Sequence, residues 1–290
     1  MKKPTLLLIA LLITIISCDK IDTSKRLFIA VEPVTVTPWD PEYAKTVIQK
    51  IYIEEFTGHG CTNCPAAMRT LKAIMSEDHT IIATAIHCTY FANTGKPPFD
   101  NDYKTPMGDQ ICEDFKISGL PKATINRKEI NPNEWGAAPN LWRNIIAEID
   151  RDNVRAGIQL QCSIDEEKQE IDVQVAVTII KNLPNPVQLC IVLQQDGIIS
   201  GQIDGGNEVP NYEHNHVLRA GFNGNYGTKL TPDGLVDAQH KYSTTFKLSY
   251  KNSFPNSYIP LTIENCTIVA YLIDMTTKEI VQVEELRIEN

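Results

Sequence analysis

The chain has 290 residues, of which 22% are charged and 42% hydrophobic, and its formal net charge is −9. These proportions are ordinary for a globular protein, and the length suffices for two domains with their own cores. Because the balance is acidic and no cluster of basic residues occurs, the composition argues against nucleic acid as a partner.

Residues 1–18 have the pattern of an export signal. Two lysines precede an apolar run over residues 6–16, which is too short to cross a bilayer as a helix, and Ser17 and Cys18 follow it. This ending resembles a lipobox, which implies that residues 1–17 form a signal peptide and that Cys18 carries a diacylglyceryl group. The alternative is an ordinary signal peptide with a chance cysteine at its end. We predict an exported protein that is held to a membrane by lipid on Cys18.

Residues 18–45 contain three X-Pro pairs and little helical periodicity, which predicts a lipidated cysteine followed by an extended tether. The elements predicted next are, in chain order, a strand over residues 50–56, a helix over 66–75, a strand over 80–88, a helix over 105–115, a turn and strand over 120–126 and a helix over 137–152. With Cys61 and Cys64 before the first helix, this order resembles that of the thioredoxin fold. We therefore predict a thioredoxin-like α/β domain over residues 46–155.

Cys61 and Cys64 are predicted to lie at the N-terminus of a helix, where unpaired backbone N–H groups and the helix dipole favour the thiolate. A lowered thiol pKa makes a cysteine nucleophilic near neutral pH. In this interpretation Cys61 is the exposed attacking residue, and Cys64, shielded within the helix, resolves the mixed disulfide. Pro65 is tolerated because N–H groups of the first turn have no partner within the helix.

Two further residues match the thioredoxin-like pattern. Such proteins carry a buried acid six residues before the first cysteine, and Glu55 has that position here. The alternative is a solvent-facing Glu55, because the neighbouring Glu54 leaves the buried face of the strand ambiguous. Such folds also carry a cis-proline opposite the disulfide, and Pro121, just before a predicted strand, is the candidate. Together with the cysteine pair, Glu55 and Pro121 are the predicted catalytic residues.

The second half of the chain has a different pattern. From Gly157 onward, short runs of alternating apolar and polar residues are separated by turn signals such as Asp204-Gly205-Gly206. About seven strands at this spacing are typical of a two-sheet sandwich. We predict an all-β, Ig-like sandwich domain over residues 156–290 and an α+β fold class for the chain.

His59 and His87 are predicted near the cysteine pair, where either imidazolium would stabilise the thiolate. A metal site built from these histidines with Cys61 and Cys64 is an alternative, since zinc and copper use such ligands. The thioredoxin-like order explains the same residues without a metal. We therefore predict no metal and no cofactor.

Other histidines and cysteines have open roles. His214 and His216 would share one face of a strand, and a structural or solvated role is favoured over metal binding. Cys88 and Cys112 are expected to be buried thiols, to form a second disulfide, or to act as a relay for the first pair. Cys190 and Cys266 lie in separate predicted strands and could form a disulfide, but the sequence does not give the pairing.

Four motifs resemble the Omp28-related outer-membrane lipoproteins: Glu-Glu-Phe-Thr-Gly-x-x-Cys-x-x-Cys-Pro at 54–65, Ala-Ile-His at 85–87, Ile-Ser-Gly-Leu-Pro at 117–121 and Tyr-x-His-Asn-His-Val-Leu-Arg at 212–219. The resemblance covers nearly the whole mature chain. It implies an outer-membrane location and a thioredoxin-like domain followed by an all-β domain, but no particular reaction.

Two functions follow from this sequence. The first is a thiol-disulfide oxidoreductase that is lipid-anchored in the outer membrane and exchanges with thiols or disulfides of envelope proteins through Cys61 and Cys64. The alternative is a non-enzymatic binding lipoprotein in which the same pair forms a structural disulfide. Neither the direction of exchange nor the membrane face follows from the sequence.

Overall fold

The computed structural model describes residues 29–250 and 260–288, which form a mixed α+β fold made mostly of strands. Cys18 and the predicted signal peptide lie outside the described residues. The strands are β1 (Ile29–Val31), β2 (Thr35–Pro38), β3 (Ile51–Thr57), β4 (Ile81–His87), β5 (Lys122–Ile125), β6 (Ala156–Asp165), β7 (Glu170–Ile179), β8 (Val187–Gln195), β9 (Ile198–Asp204), β10 (Asn207–His214), β11 (Val217–Gly221), β12 (Thr228–Lys229), β13 (His240–Ser249), β14 (Cys266–Asp274) and β15 (Ile280–Arg287). The helices are α1 (Pro41–Thr46), α2 (Cys64–Glu77), α3 (Pro106–Asp114) and α4 (Trp142–Ala147).

Two segments differ from their predicted elements. Residues 29–46, expected to be part of an extended tether, form β1, β2 and α1, and both strands pair with β13. The helix expected over residues 137–152 is shortened to α4, preceded by a 3-10 turn at Pro139–Leu141. After the end of α4, the Asp150 carboxylate accepts the backbone N–H of Asp152, a local turn of a kind that competes with helix.

One eight-stranded sheet runs through both halves of the chain, in the order β15-β14-β8-β11-β4-β3-β5, with β12 beside β8. Strands β3 and β4 are parallel, and β5 is antiparallel to β3. The two halves meet where Val217 of β11 pairs with Ala85 of β4. The boundary predicted at residues 155 and 156 falls between α4 and β6, and the sheet continues across it.

The five-stranded sheet of β1, β2, β13, β7 and β6 covers one end of this large sheet. Between the two sheets lies an apolar core drawn from both, including Val173 and Val175 of β7, Phe246 of β13, Leu189 of β8 and Ala270 of β14. Inward-pointing residues alternate along β7 and β13, because successive side chains of a strand point to opposite faces.

Helices cover the other end of the large sheet. On one face, α2 presents a stripe of buried residues at helical spacing, Cys64, Ala67, Leu71 and Ile74, to β3 and β4. On the opposite face, α3 packs its buried Met107 and Ile111. In the described part of the chain, no helix has the length and apolar character to cross a membrane.

Strands β9 and β10 form a separate two-stranded sheet. The turn of this hairpin contains the predicted Asp204-Gly205-Gly206 sequence, and both glycines have positive φ, which a residue without Cβ adopts readily. We refer to residues 198–214 as the β9–β10 hairpin.

Candidate redox site

Cys61 and Cys64 are joined by a disulfide at the start of α2. Cys61 lies in the preceding turn, where its N–H donates to Gly58 O at 2.9 Å, and Cys64 is the first helical residue. The N-cap residue Asn63 makes no side-chain cap hydrogen bond, and the first turn contains no acidic residue. The positive end of the helix dipole is therefore directed at the cysteine pair without a competing carboxylate, as an activated thiolate requires.

Glu55 is a buried acid near the end of β3, the strand that leads into the loop of Cys61. It lies on the α2-facing side of β3 together with Ile51 and Ile53, its relative exposure is 0%, and neither carboxylate oxygen has a hydrogen-bond partner. Burial raises the pKa of Glu55 to about 8, so the carboxyl group is mostly protonated at neutral pH.

Glu54 points to the opposite face of β3, which resolves the ambiguity between the two acids. Its carboxylate accepts from Arg127 Nε and from Thr124 Oγ1, each at 2.8 Å. Arg127 and Glu54 are both fully buried and form an ion pair. Glu54 therefore belongs to a structural network, whereas Glu55 is left without a partner.

Pro121 is at the same end of the sheet as the disulfide. The Leu120–Pro121 peptide bond is cis. The next residue, Lys122, pairs with Phe56 at the end of β3, immediately before the loop that carries Cys61. The sheet register thus brings Pro121 to the edge from which the cysteine pair projects.

The expected exposure of Cys61 is not found. Cys61 and Cys64 are each only 2% exposed, and the β9–β10 hairpin packs against the loop that carries Cys61. Backbone amides at alternate residues of the hairpin donate to the facing loops with these N···O distances: Gly201 to Pro98 at 3.2 Å, Ile203 to His59 at 2.8 Å and Gly205 to Thr62 at 3.0 Å. The hairpin thus lies along the loop that carries Cys61 in the way that a strand added to the edge of a sheet would lie.

Side chains reinforce this contact at two points. The buried Gln202 amide donates to Gly58 O at 3.3 Å and to Cys61 O at 3.2 Å. At the hairpin tip, Arg69 of α2 forms a bidentate ion pair with Asp204, with N···O distances of 2.8 and 3.2 Å.

A layer of aromatic and imidazole rings lies beside the cysteine pair. The ring of Tyr103 stacks on His87 with centroids 4.5 Å apart and lies 4.9 Å from His214, while His87 and His214 are 5.7 Å apart. His59 lies 6.0 Å from Tyr103, and its Nε2 is 2.9 Å from Asn93 O. All three histidines are buried.

This layer is poor in hydrogen-bond partners. The buried atoms without a partner include His59 Nδ1, both ring nitrogens of His87 and His214 Nε2. Burial, with help from the neighbouring imidazoles, holds the pKa of His87 far below its usual value, and burial lowers that of His214 to about 4. A neutral His87 gives no electrostatic support to a thiolate, so the lowered pKa of His87 argues against its predicted charged role in this closed arrangement.

The metal-site alternative has no support in the described ranges. Within residues 29–250 and 260–288, no three His, Cys, Asp or Glu side chains are placed to hold a metal ion. His214 ends β10, and His216 lies after it with a φ of 57°, so the two do not share a strand face as predicted.

The other described cysteines are free thiols. Cys88 and Cys112 lie in the core under α3, on the opposite sheet face from Glu55, and the Cys112 thiol donates to Ile117 O at 3.8 Å. Cys190 and Cys266 do not pair, because Cys190 belongs to this same core whereas Cys266 faces the core between the two sheets.

Sequence reasoning missed the residues that cover the disulfide. Asp204 lies in a segment that the sequence predicts only as a turn, Gln202 lies in no predicted element, and Tyr103 lies in an irregular loop. The Asp-Gly-Gly turn between short strands predicts a hairpin, but no local signal indicates where a hairpin packs.

These features define a mixed α+β protein with a disulfide at a helix N-terminus beneath a β-hairpin. The chain belongs to the family described as outer membrane protein Omp28, whose model matches residues 108–290. That match begins after Cys61 and Cys64.

Solved structures from Porphyromonas gingivalis resemble this fold. The structure of HBP35 superposes with a TM-score of 0.62 at 12% sequence identity, covering 84% of this chain and 76% of that one. A domain of the outer membrane lipoprotein Omp28 is 22% identical, covering 49% of this chain and 93% of that one, with a TM-score of 0.33. The first likeness supports the overall fold alone. Comparison with curated proteins finds no match.

Proposed function

We propose that this Omp28-family protein exchanges thiols and disulfides with envelope proteins through Cys61 and Cys64, while a lipid on Cys18 anchors it to the outer membrane. The observation that carries the proposal is the combination of an uncapped helix start bearing the cysteine pair and a buried, unpartnered Glu55 behind it. A structural disulfide needs neither feature.

The proposal assigns residues 46–155 to a thioredoxin-like domain and residues 156–290 to an Ig-like sandwich. The parallel β3–α2–β4 unit and the antiparallel β5 support the first assignment. The apolar core between two antiparallel sheets supports the second. Strands of both parts belong to one eight-stranded sheet.

Exchange would proceed in two steps that conserve electrons. The Cys61 thiolate attacks one sulfur of a partner's disulfide, which forms a mixed disulfide and releases the partner's other sulfur as a thiolate. Cys64 then loses its proton and attacks the sulfur of Cys61, which reforms the internal disulfide and releases the second partner thiol. The partner gains the two electrons that the cysteine pair loses, and the reverse sequence oxidises a partner dithiol.

Glu55 has a suitable pKa to serve the second step. Its pKa of about 8 is close to the value of about 8.5 for an ordinary thiol. In its deprotonated form, which is the minor form at neutral pH, a carboxyl group with a matched pKa takes up the proton of Cys64 and returns it at little cost in free energy. In the proposed role Glu55 is a proton acceptor for Cys64, and Pro121 positions the partner chain.

Trapping of mixed disulfides tests the proposal. Cys64→Ala should accumulate adducts linked through Cys61 when expressed in its own envelope, because the resolving thiol is missing. The double variant Cys61→Ala/Cys64→Ala is the control and should trap none. In the reduced protein, the pH dependence of alkylation should place the pKa of Cys61 clearly below about 8.5.

One observation favours the alternative function. Both cysteines are 2% exposed, which suits a structural disulfide in a non-enzymatic binding lipoprotein. Such a disulfide has a reduction potential below about −300 mV, whereas exchange sites are reduced more easily. If Cys64→Ala traps nothing, and Cys61 titrates as an ordinary thiol, the alternative takes first place.

A further inference from the structure

We propose that the β9–β10 hairpin is a lid that occupies the docking edge of the cysteine pair, and that a partner gains access to Cys61 only when this lid opens. The inference rests on the proposed exchange function and assigns the regulation of that same site.

The lid uses the kind of contact that an extended partner chain would use. Three amides at alternate hairpin residues, Gly201, Ile203 and Gly205, donate to carbonyls on the facing loops. Main-chain hydrogen bonds of this spacing are how an extended peptide adds to an exposed edge. The hairpin and a partner chain would therefore compete for the same carbonyls, those of His59 and Thr62 on either side of Cys61.

The closed arrangement leaves several polar groups unsatisfied. His214, at the end of the hairpin, has no partner for Nε2, and neither do the ring nitrogens of His87 beneath it. A buried polar group without a partner loses its hydrogen bonds to water and gains none in exchange. Opening would return these groups to water, which lowers the cost of moving the lid relative to unfolding the apolar core.

The lid is also held lightly at its tip. The Arg69–Asp204 ion pair has side chains that are 61% and 28% exposed, and exposed ion pairs contribute little to stability. Strand β10 is mostly exposed, and a two-stranded hairpin is only marginally stable by itself. In this proposal the Arg69–Asp204 ion pair is the latch, a weak contact that holds the hairpin tip closed and can break when the lid opens.

Both legs of the hairpin carry residues suited to a hinge. Gly197, between β8 and β9, has a φ of 67°, and His216, between β10 and β11, has a φ of 57°. The two legs are close, because the Gly197 amide donates to Asn215 Oδ1 at 2.9 Å. A few terminal residues of this kind can absorb the backbone rotation of a moving segment.

Gly201 offers a direct way to open the lid. A Cβ at this position would lie 2.5 Å from the backbone oxygen of Pro98, so Gly201→Ala forces the hairpin away from the loop below it. Gly95→Ala is the matched control, because its Cβ would be 3.7 Å from the nearest atom, the Cβ of Phe99. For the latch, Arg69→Ala is compared with Arg143→Ala, which breaks the exposed ion pair to Glu77 at the other end of α2.

The test measures how fast dithiothreitol reduces the Cys61–Cys64 disulfide, together with hydrogen exchange of the Ile203 and Gly205 amides. We expect Gly201→Ala to accelerate reduction by about tenfold or more and Arg69→Ala by about two- to fivefold, with faster exchange of both amides. The two controls should leave both rates unchanged. Unchanged rates in both test variants would overturn the lid, and Arg69→Ala keeps the test decisive if Gly201→Ala folds poorly.

Combining the lid variants with the trapping variant separates the two proposals. If Cys64→Ala traps partners and adding Gly201→Ala increases the yield, both proposals hold. If the hairpin controls the reduction rate but neither protein traps a partner, the lid stands and the exchange function fails. If Cys64→Ala traps partners with the same yield with and without Gly201→Ala, and the test variants are reduced as fast as wild type, the exchange function stands and the lid is refuted.

Discussion

Replacing Glu55 with glutamine should remove a specific pH dependence from the stability of this protein. In the folded state the Glu55 carboxyl group is fully buried without a hydrogen-bond partner, and its pKa is raised to about 8 from an ordinary value of 4.5. Between these two pH values the folded protein holds one proton on Glu55 that the unfolded chain has released.

Proton linkage determines the sign and the size of the change in the free energy of unfolding with pH. A raised folded-state pKa means that the stability is fully present below pH 4.5 and is lost as the pH rises towards 8. The free energy of unfolding falls by about 1.4 kcal/mol per pH unit in this window. At pH 7 the accumulated loss is about 3 kcal/mol relative to pH 4.5. The glutamine side chain of Glu55→Gln does not titrate, so the variant should not show this loss of stability.

Guanidinium denaturation of wild type and Glu55→Gln at pH 5, 6, 7 and 8 measures the effect. The stability of the variant relative to wild type should rise by about 1.4 kcal/mol per pH unit, levelling off as pH 8 is approached. A constant cost of burying the glutamine amide cancels from this slope. Glu77→Gln is the control, since the exposed Glu77 has a lowered pKa and should give a flat difference. Parallel stability curves for wild type and Glu55→Gln would refute the buried, protonated acid.

Three other predictions concern different parts of the molecule. Burial lowers the pKa of His214 to about 4, so wild type loses stability as the pH falls from 6.5 towards 4, and His214→Gln should reduce that loss by about 1.4 kcal/mol per pH unit in denaturation at pH 4.5–6.5. Cys18→Ser should release the protein from membranes or leave it unprocessed, and unchanged membrane fractionation with cleavage elsewhere would contradict the lipid anchor. A backbone cut within residues 154–157 should leave two fragments that elute together in size-exclusion chromatography, because β1 and β2 pair with β13 and β4 pairs with β11; separate elution would contradict this.

Short-range patterns in the sequence correctly predict the local elements around the cysteine pair. The strand predicted over residues 50–56 is β3, the strand predicted over 80–88 is β4, and the helix predicted over 66–75 is α2, extended by a few residues at both ends. Apolar periodicity decides these elements, and it acts between residues that are close along the chain. The placement of Cys64 at the helix start follows from the same short-range pattern.

Tertiary structure decided which side chains are buried and what covers them. Glu54 and Glu55 are neighbours with the same chemistry, and only the packing of α2 on one face and Arg127 on the other distinguishes them. Alternation along a strand separates the two faces but does not say which helix covers each.

The cover over the disulfide was likewise beyond the sequence. The hairpin that buries Cys61 comes from the second half of the chain, and Gln202 and Gly58, which it brings together, lie 144 residues apart. Such a contact depends on how the strands of the large sheet are ordered, with β11 beside β4. Local propensities carry no information about that order, because it is fixed by the burial of whole strand faces against one another.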